Sequence, residues 1–428
     1  MRQKQLLLMT LCTTFCGAAF GATKIVRCDA LFDAETAKVS KNIDIVIEGE
    51  RITAVRAASA TGAGEAAIVQ LAAGLCLPGF IDLHTHLTQD PSGQNYTEAY
   101  RLNPADIAYR AEANGMKTLR AGFTSVRDLG DSWGVTVSLR NAVNAGTVLG
   151  PRVFAAGKSI ATTGGHADPT NGTSVRFMGA PGPDAGVING PDDAREAVRQ
   201  RYKEGSDLIK ITATGGVLSV AKNGLNPQFN QQELDAIVMT AKDYGYTVAA
   251  HAHGTEGMKR AILAGVTSIE HGTFMTPEIM TLMKKRGTWY VPTLLAGAYV
   301  AEKAQEPGFY LPIVAAKARA IGPQIAQTLA AAYKAGVPIA FGTDAGVYPH
   351  GLNAREFELL ADAGVPVPVA VQMATYFAAQ VLGESTNIGQ LAPGKFADIT
   401  VVALDSLEDA KRLAKPMMVI KGGALIAN

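Results

Sequence analysis

Residues 247–271 read Thr247-Val-Ala-Ala-His251-Ala-His253-Gly-Thr255-Glu-Gly-Met-Lys-Arg-Ala-Ile-Leu-Ala-Gly265-Val-Thr267-Ser-Ile-Glu-His271, and this stretch decides the fold. An apolar run, Thr247–His251, gives way to a helical pattern over Thr255–Gly265 and then to a second apolar run, Thr267–His271. Strand, helix and strand in close succession form a βαβ unit, whose strands lie parallel in one sheet. Each apolar run ends on a histidine. In such folds the carboxyl ends of the strands carry the chemistry, so the same stretch also marks a site.

Outward from this unit the alternation continues. Further strands are expected at Gly79–His86, Thr124–Asp128, Arg152–Ala156, Asp207–Thr212, Thr288–Thr293 and Pro338–Asp344. Helical patterns lie between them, at Ala105–Ala121, Pro191–Glu204, Asn230–Tyr244 and Pro312–Ala335. Eight strands alternating with helices match an α/β fold of the (β/α)8 TIM-like barrel kind over residues 79–387. An open doubly wound sheet is the runner-up, but no Gly-x-Gly-x-x-Gly follows the first strand.

Both chain ends have another character. Lys24–Cys28, Ile43–Glu48, Arg51–Val55 and Ile68–Leu71 are short β-rich runs, and Asp398–Ala403, Met417–Lys421 and Ala424–Ile426 repeat the style. We expect residues 22–78 and 388–428 to pair into a small composite β-sandwich domain. Across the chain, 39 Lys plus Arg stand against 38 Asp plus Glu, a net charge of +1. That balance argues against nucleic acid or an anionic membrane as partner, since either calls for a basic excess.

Arg2 and Lys4 precede an apolar run, Leu6–Phe20, that ends in small residues. This is the pattern of a secretory signal peptide over residues 1–21, cleaved after Gly21. About 15 apolar residues fall short of the roughly 20 that a spanning helix needs, so no stable membrane anchor is expected. Phe15 before Cys16 is too bulky for lipoprotein processing. An exported protein follows, periplasmic or secreted. Cleavage removes Cys12 and Cys16 and leaves Cys28 and Cys76. An oxidising compartment permits a bridge between these two, while separately buried thiols fit the sequence equally well.

The chain has seven histidines, and four lie at the ends of expected strands. Pro78-Gly-Phe-Ile-Asp-Leu-His84-Thr-His86 turns two imidazoles to one face, because strand side chains alternate. Imidazoles converging from one strand suit a borderline-soft metal such as zinc. Taken alone, His-x-His describes a core or solvated pair as readily. His251, His271 and Asp344, each closing a later strand, change that balance. Lys210 stands in the apolar run Asp207-Leu-Ile-Lys-Ile-Thr. It either snorkels to a strand end or loses its proton on burial, and a neutral amine near metals can add carbon dioxide to become an anionic oxygen ligand.

This constellation resembles the amidohydrolase superfamily over essentially the whole mature chain. The opening Pro-Gly-Phe-Ile-Asp-x-His-Thr-His, the late Gly342-Thr-Asp344 and the terminal Leu391-Ala-Pro-Gly-Lys-Phe-Ala-Asp-Ile-Thr-Val carry the resemblance. It implies two Zn2+ ions per subunit, other divalent metals being alternatives. His84, His86 and Asp344 would bind the first, and His251 and His271 the second. A carboxylated Lys210 and a hydroxide would bridge them, with Asp344 moving the proton from nucleophile to leaving amine. Single-metal deaminases of the superfamily lack the lysine and carry a Glu soon after the fifth-strand histidine; here the nearest acid is Glu256.

Thr163-Gly-Gly-His166, the two histidine-rich stretches and Gln228-Phe229 narrow the resemblance to exported Xaa-Pro or Xaa-Arg dipeptidase (carboxypeptidase)-like amidohydrolases, a branch that includes ochratoxin-hydrolysing amidases. The reaction implied is cleavage of the amide bond to a C-terminal amino acid in dipeptides or N-acyl amino acids. A lactam hydrolase or deaminase is the alternative, and a non-catalytic scaffold comes last because all six ligand positions are filled. His253 is expected at the scissile carbonyl or substrate carboxylate, and His166 at the carboxylate. Related members more often carry Tyr where Phe229 stands as a substrate contact. Tyr290 and Thr293 are expected to line the pocket, and Val217 and Leu218 to cover it, which suits an apolar side chain. Arg127 and Asp128 read as a buried structural pair and His350 as a surface-loop residue. The resemblance also implies a homo-oligomer, commonly an octamer.

Overall fold

The computed structural model describes residues 23–59, 67–70, 74–92, 95–98 and 100–427. The expected leader, with Cys12 and Cys16, lies outside the described residues. Strands β1 (Lys24–Asp33), β2 (Lys38–Glu48) and β3 (Arg51–Ala57) form an antiparallel meander. β4 (Ala67–Gln70) and β5 (Gly74–Pro78) run parallel to successive halves of β1.

The middle of the chain alternates strand and helix. β6 (Phe80–Thr85), β7 (Phe123–Asp128) and β8 (Arg152–Ala155) pair in parallel. A short parallel pair follows, β9 (Ala161–Thr162) with β10 (Val187–Ile188). β11 (Ile209–Thr212), β12 (Val248–Ala252), β13 (Ser268–His271) and β14 (Trp289–Val291) form a second parallel sheet. Every residue of β6, β7, β11, β12 and β13 is buried, as befits strands covered on both faces.

Hydrogen bonds connect these two sheets at both ends. Asp207 N donates to Ala155 O at 2.8 Å and Ile160 N to Lys210 O at 2.8 Å, joining the β8 side to β11. Tyr290 N donates to Pro338 O at 2.8 Å, Leu83 N to Phe341 O at 3.1 Å and Asp344 N to His84 O at 2.7 Å. The segment 338–345 thus lies between β14 and β6, and the bonding returns to the first strand. This last segment is not a regular strand. It makes only isolated bridges at Ile339 and Ala345, and Asp344 has φ +62°, which breaks an extended ladder.

Helix boundaries follow local chemistry. Asn230 and Glu233 form a reciprocal capping box at the start of Gln231–Asp243. Thr255–Ala264 stops where Gly265 takes φ +96°, a conformation that costs glycine little.

The chain returns through β15 (Ile399–Ala403), which pairs antiparallel with β5 and then with β16 (Met418–Lys421), followed by β17 (Ala424–Ile426). Strands from residues 24–78 and 399–426 therefore share one eight-stranded sheet. We expected a two-sheet sandwich here. The long β1 explains the single sheet, because it serves β4 with one half and β5 with the other.

Cys28 of β1 and Cys76 of β5 are fully buried and joined as a disulfide with Cα atoms 5.9 Å apart. The bridge closes a sequence separation of 48 residues. Constraining an unfolded loop of that size stabilises the fold by about 4 kcal/mol. Cys28→Ala combined with Cys76→Ala should therefore lower the midpoint of unfolding well below that of oxidised wild type. Equal midpoints would show that the bridge contributes nothing.

Candidate metal centre

The strand ends gather the residues that the sequence scattered. His84 lies on β6 with His86 just past it, Lys210 on β11, His251 on β12 with His253 beyond, His271 at the end of β13, and Asp344 on the last segment. The imidazole centroids of His84 and His86 are 5.4 Å apart, of His84 and His271 5.0 Å, of His251 and His271 4.6 Å, and of His251 and His253 4.7 Å. Asp344 Oδ1 lies 3.4 Å from His84 Nε2 and 3.3 Å from His86 Nε2. Lys210 Nζ lies 3.4 Å from His84 Nε2. Donor atoms of His84, His86 and Asp344 all fall within 4.8 Å of one another, a group that could hold a metal ion.

Each imidazole has one nitrogen tied from outside. His84 Nδ1 meets the Glu270 carboxylate at 3.0 Å, and His86 Nδ1 meets the Gly130 carbonyl at 3.2 Å. His251 Nε2 meets the Gly215 carbonyl at 3.0 Å, while His271 Nδ1 meets Thr293 Oγ1 and His253 Nδ1 meets Thr273 Oγ1, both at 2.8 Å. A carboxylate or carbonyl only accepts, so His84, His86 and His251 carry their hydrogens on these outer nitrogens. The other nitrogen of His84 and of His251 keeps a lone pair, whereas His86 Nε2 faces the Asp344 carboxylate. This is the outer arrangement that orients histidine ligands in metal sites.

Electrostatics agree. Burial pushes His84 and His253 down to about 4 and holds His251 and His271 well below the ordinary value, so these four rings are uncharged at neutral pH. His86 goes the other way: burial disfavours its charge, but the bond to Asp344 outweighs that. Burial also pushes Asp344 up, yet His84 and His86 together hold it below the usual carboxylate value. Burial brings Lys210 down to about 8 against the pull of Glu270 and Asp344. Four buried neutral imidazoles, His86 beside the Asp344 carboxylate, and a lysine with no carboxylate bonded to it among the described residues make a donor set that fits divalent cations.

Strained backbone concentrates here. Among the described residues five non-glycines have positive φ, and His271, Thr293 and Asp344 are three of them, at +69°, +55° and +62°. Such outliers persist where surrounding bonds over-determine them, and they cluster at functional sites.

Beneath the rings runs a layer of buried polar groups. Asp82 accepts from His84 N and Thr343 N, both at 3.0 Å, from Thr343 Oγ1 at 2.6 Å and from Asn353 Nδ2 at 2.8 Å, tying the first strand to the last. Arg127 donates to Leu83 O at 2.6 Å, Ser268 Oγ at 3.2 Å and Glu270 Oε1 at 2.8 Å. Arg127 therefore pairs with Glu270 and not with Asp128, which accepts from Leu87 N and Gly130 N instead. Adjacent strand residues face opposite ways, so the expected pair could not form. An acid and an arginine at inward positions of apolar strands were the available signal for this layer.

Other expectations meet mixed outcomes. His166 stacks on His251 with centroids 4.4 Å apart, and its buried Nδ1 has no partner among the described residues. A Cβ on Gly216 would lie 2.2 Å from the His166 ring, so glycine alone permits this approach. Thr293 supports His271 from outside, and Tyr290, fully buried, donates its hydroxyl to His271 O at 2.9 Å. Phe229 is 2% exposed and belongs to the main hydrophobic core.

Val217 packs with Val300, Ala304, Ala315, Ala318 and Ile321, and Leu218 lies against the same cluster. Lys317 secures this loop by donating to Gly216 O, Ser219 O and Ala221 O at 2.7–2.9 Å. The apolar pair thus anchors the loop to the helix Pro312–Lys334. His350 is buried beside the carbonyls of His86 and Gln89, at 3.2 and 3.1 Å, not exposed on a loop. Two carbonyl acceptors drew it inward.

The sequence pattern of the Amidohydrolase family matches residues 75–425. The chain belongs to this family. Ochratoxinase of Aspergillus niger is 32% identical over 367 residues, covering 82% of this amidohydrolase and 75% of that protein. A crystal structure of a Xaa-Pro dipeptidase with methionine bound in its active site superposes with a TM-score of 0.92 at 47% identity, covering 95% of this chain and all of that one. The crystal structure of A. niger ochratoxinase gives a TM-score of 0.81 at 29% identity, covering 94% and 95% of the two chains.

Arg127→Met should destabilise this amidohydrolase by about 3–5 kcal/mol, because Glu270 would stay buried without its cation. Although burial pushes Glu270 up, Arg127 and His84 hold it at about 2, below its ordinary 4.5. Its ionised form therefore favours the folded state above pH 4.5, and that contribution fades as pH falls toward 2. Denaturant unfolding across this range should show the loss in wild type and a smaller slope in Arg127→Met. Parallel pH curves for the two proteins would refute the pairing.

Proposed function

We propose that this amidohydrolase is an exported, zinc-dependent enzyme that cleaves the amide bond to a C-terminal amino acid in dipeptides or N-acyl amino acids, N-acyl-phenylalanine amides of the ochratoxin kind included. One observation carries the reading: His84, His86, Lys210, His251, His271 and Asp344 converge from several strand ends, with one nitrogen of each imidazole held from outside the cluster. Similarity to an ochratoxinase and a Xaa-Pro dipeptidase supports the reaction class. Methionine in the site of the latter, and the name of the former, favour an apolar or aromatic C-terminal side chain.

His84, His86 and Asp344 would hold the first of two zinc ions and His251 and His271 the second, with a carboxylated Lys210 between them. Ions bound there supply a water acidic enough to attack near neutral pH and polarise the amide carbonyl. The remaining work belongs to side chains. Asp344 takes the proton of the attacking water and passes it to the leaving amine. His253, held through Nδ1 by Thr273, offers Nε2 to the scissile carbonyl or the substrate carboxylate. His166, with Nδ1 unpartnered, clamps that carboxylate. Lys210 would add carbon dioxide through its neutral amine, forming an N–C bond and releasing one proton.

The strand circuit reads as a (β/α)8 barrel, with residues 22–78 and 388–428 as its appended β domain. A buried disulfide supports export to an oxidising compartment, periplasmic or extracellular, after removal of residues 1–21. No described helix is long and apolar enough to cross a membrane. A homo-oligomer, such as an octamer, completes the proposal. The deaminase alternative finds no support in Glu256, whose half-exposed side chain pairs with Arg260 at 2.7 Å.

Zinc-reconstituted protein given dipeptides and N-acyl amino acids of varied C-terminal residue should release free α-amino acids, fastest for apolar and aromatic ones. Ammonia as the product, or no hydrolysis across the panel, would defeat the proposal. Lys210→Ala should abolish turnover and leave fewer than two zinc ions per chain by elemental analysis. Wild-type activity in that variant would remove Lys210 from the centre.

A further inference from the structure

Glu356 is fully buried in the helix Arg355–Asp362, outside the cluster described above. Its two carboxylate oxygens accept the backbone N–H groups of Leu294 and Leu295, each at 2.7 Å. These residues open the helix Leu294–Lys303. The first N–H groups of any helix lack partners within it, and a threonine just before the helix ordinarily supplies its hydroxyl.

Thr293 occupies that place and makes no such bond. Its Oγ1 instead meets His271 Nδ1 at 2.8 Å. Its φ of +55° is unfavourable for a β-branched residue. The hydroxyl has been moved from the helix to the imidazole, and a carboxylate from a different helix fills the place it left.

We propose that Glu356 is a positioning residue for His271: by capping the helix in place of Thr293, it holds that threonine in the conformation that keeps its hydroxyl on Nδ1 and leaves Nε2 available to a ligand. The proposal rests on reading His271 as a ligand of the second zinc ion. Tyr290 tethers the His271 carbonyl independently, so the strand end survives loss of the Glu356 cap while the ring becomes free to turn.

The test is a zinc titration of the full chain, followed by calorimetry or a competing chelator, on wild type, Glu356→Gln, Thr293→Val, Thr293→Ser and the Glu356→Gln/Thr293→Val double variant. Glutamine offers one acceptor where two N–H groups need two. Glu356→Gln should weaken the second ion by about 10- to 100-fold and spare the first. Thr293→Val should do the same, and Thr293→Ser, which keeps the hydroxyl, should bind like wild type. If the two residues act in series, the double variant should be no weaker than the worse single one.

Losses that multiply in the double variant, or a Glu356→Gln protein that binds both ions as tightly as wild type, would overturn the relay alone. A wild type that binds fewer than two ions would overturn the two-ion reading and the relay with it. Where Glu356→Gln does not fold, the threonine variants decide: unchanged binding in Thr293→Val refutes the proposal.

Discussion

A buried imidazole must have its polar nitrogens satisfied, and the rest of this structure is arranged around that requirement. Glu270, Gly130, Gly215, Thr273 and Thr293 each satisfy one nitrogen of one ring. Only one nitrogen per ring then remains for a ligand. Burial keeps His84, His251 and His271 uncharged, so these rings present lone pairs instead of repelling cations.

The supports are themselves supported. Glu270 accepts from Arg127, which also grips the carbonyl of Leu83 on the first strand. Asp82 links that strand to Thr343 on the last segment, and Glu356 caps the helix that follows Thr293. Distant parts of the chain thus meet through buried hydrogen bonds, and the Arg127–Glu270 pair among them is charge-assisted, which makes it stronger than a neutral bond. Such a network can hold His271, Thr293 and Asp344 in backbone conformations that they would not adopt alone.

Much of the architecture could be read along the chain. Apolar runs gave seven of the eight central strands to within about two residues, because continuous burial leaves a strong local pattern. The eighth, Pro338–Asp344, is irregular, since Asp344 bends the backbone where the pattern shows only hydrophobicity. Of the proposed ligands, His84, Lys210, His251 and His271 stand on strands, with His86 just past one and Asp344 on the irregular last segment. The supporting layer was less visible: Glu356 lies in an ordinary amphipathic helix, and its role depends on a contact made across more than 60 residues.

Local pattern, then, was enough for the central strands and for the strand-end positions of the histidines, since periodicity and spacing act over a few residues, while the grouping of those histidines with Asp344 and Lys210 as one site came from the family resemblance. It could not place Phe229, Val217 or His350, or say whether Cys28 met Cys76. Those outcomes turn on which surface packs against which: Phe229 joins the main core, Val217 meets a helix a hundred residues later, and His350 finds two carbonyls from the first strand's end. Long-range packing has no counterpart in neighbouring letters, so only the folded chain could reveal it.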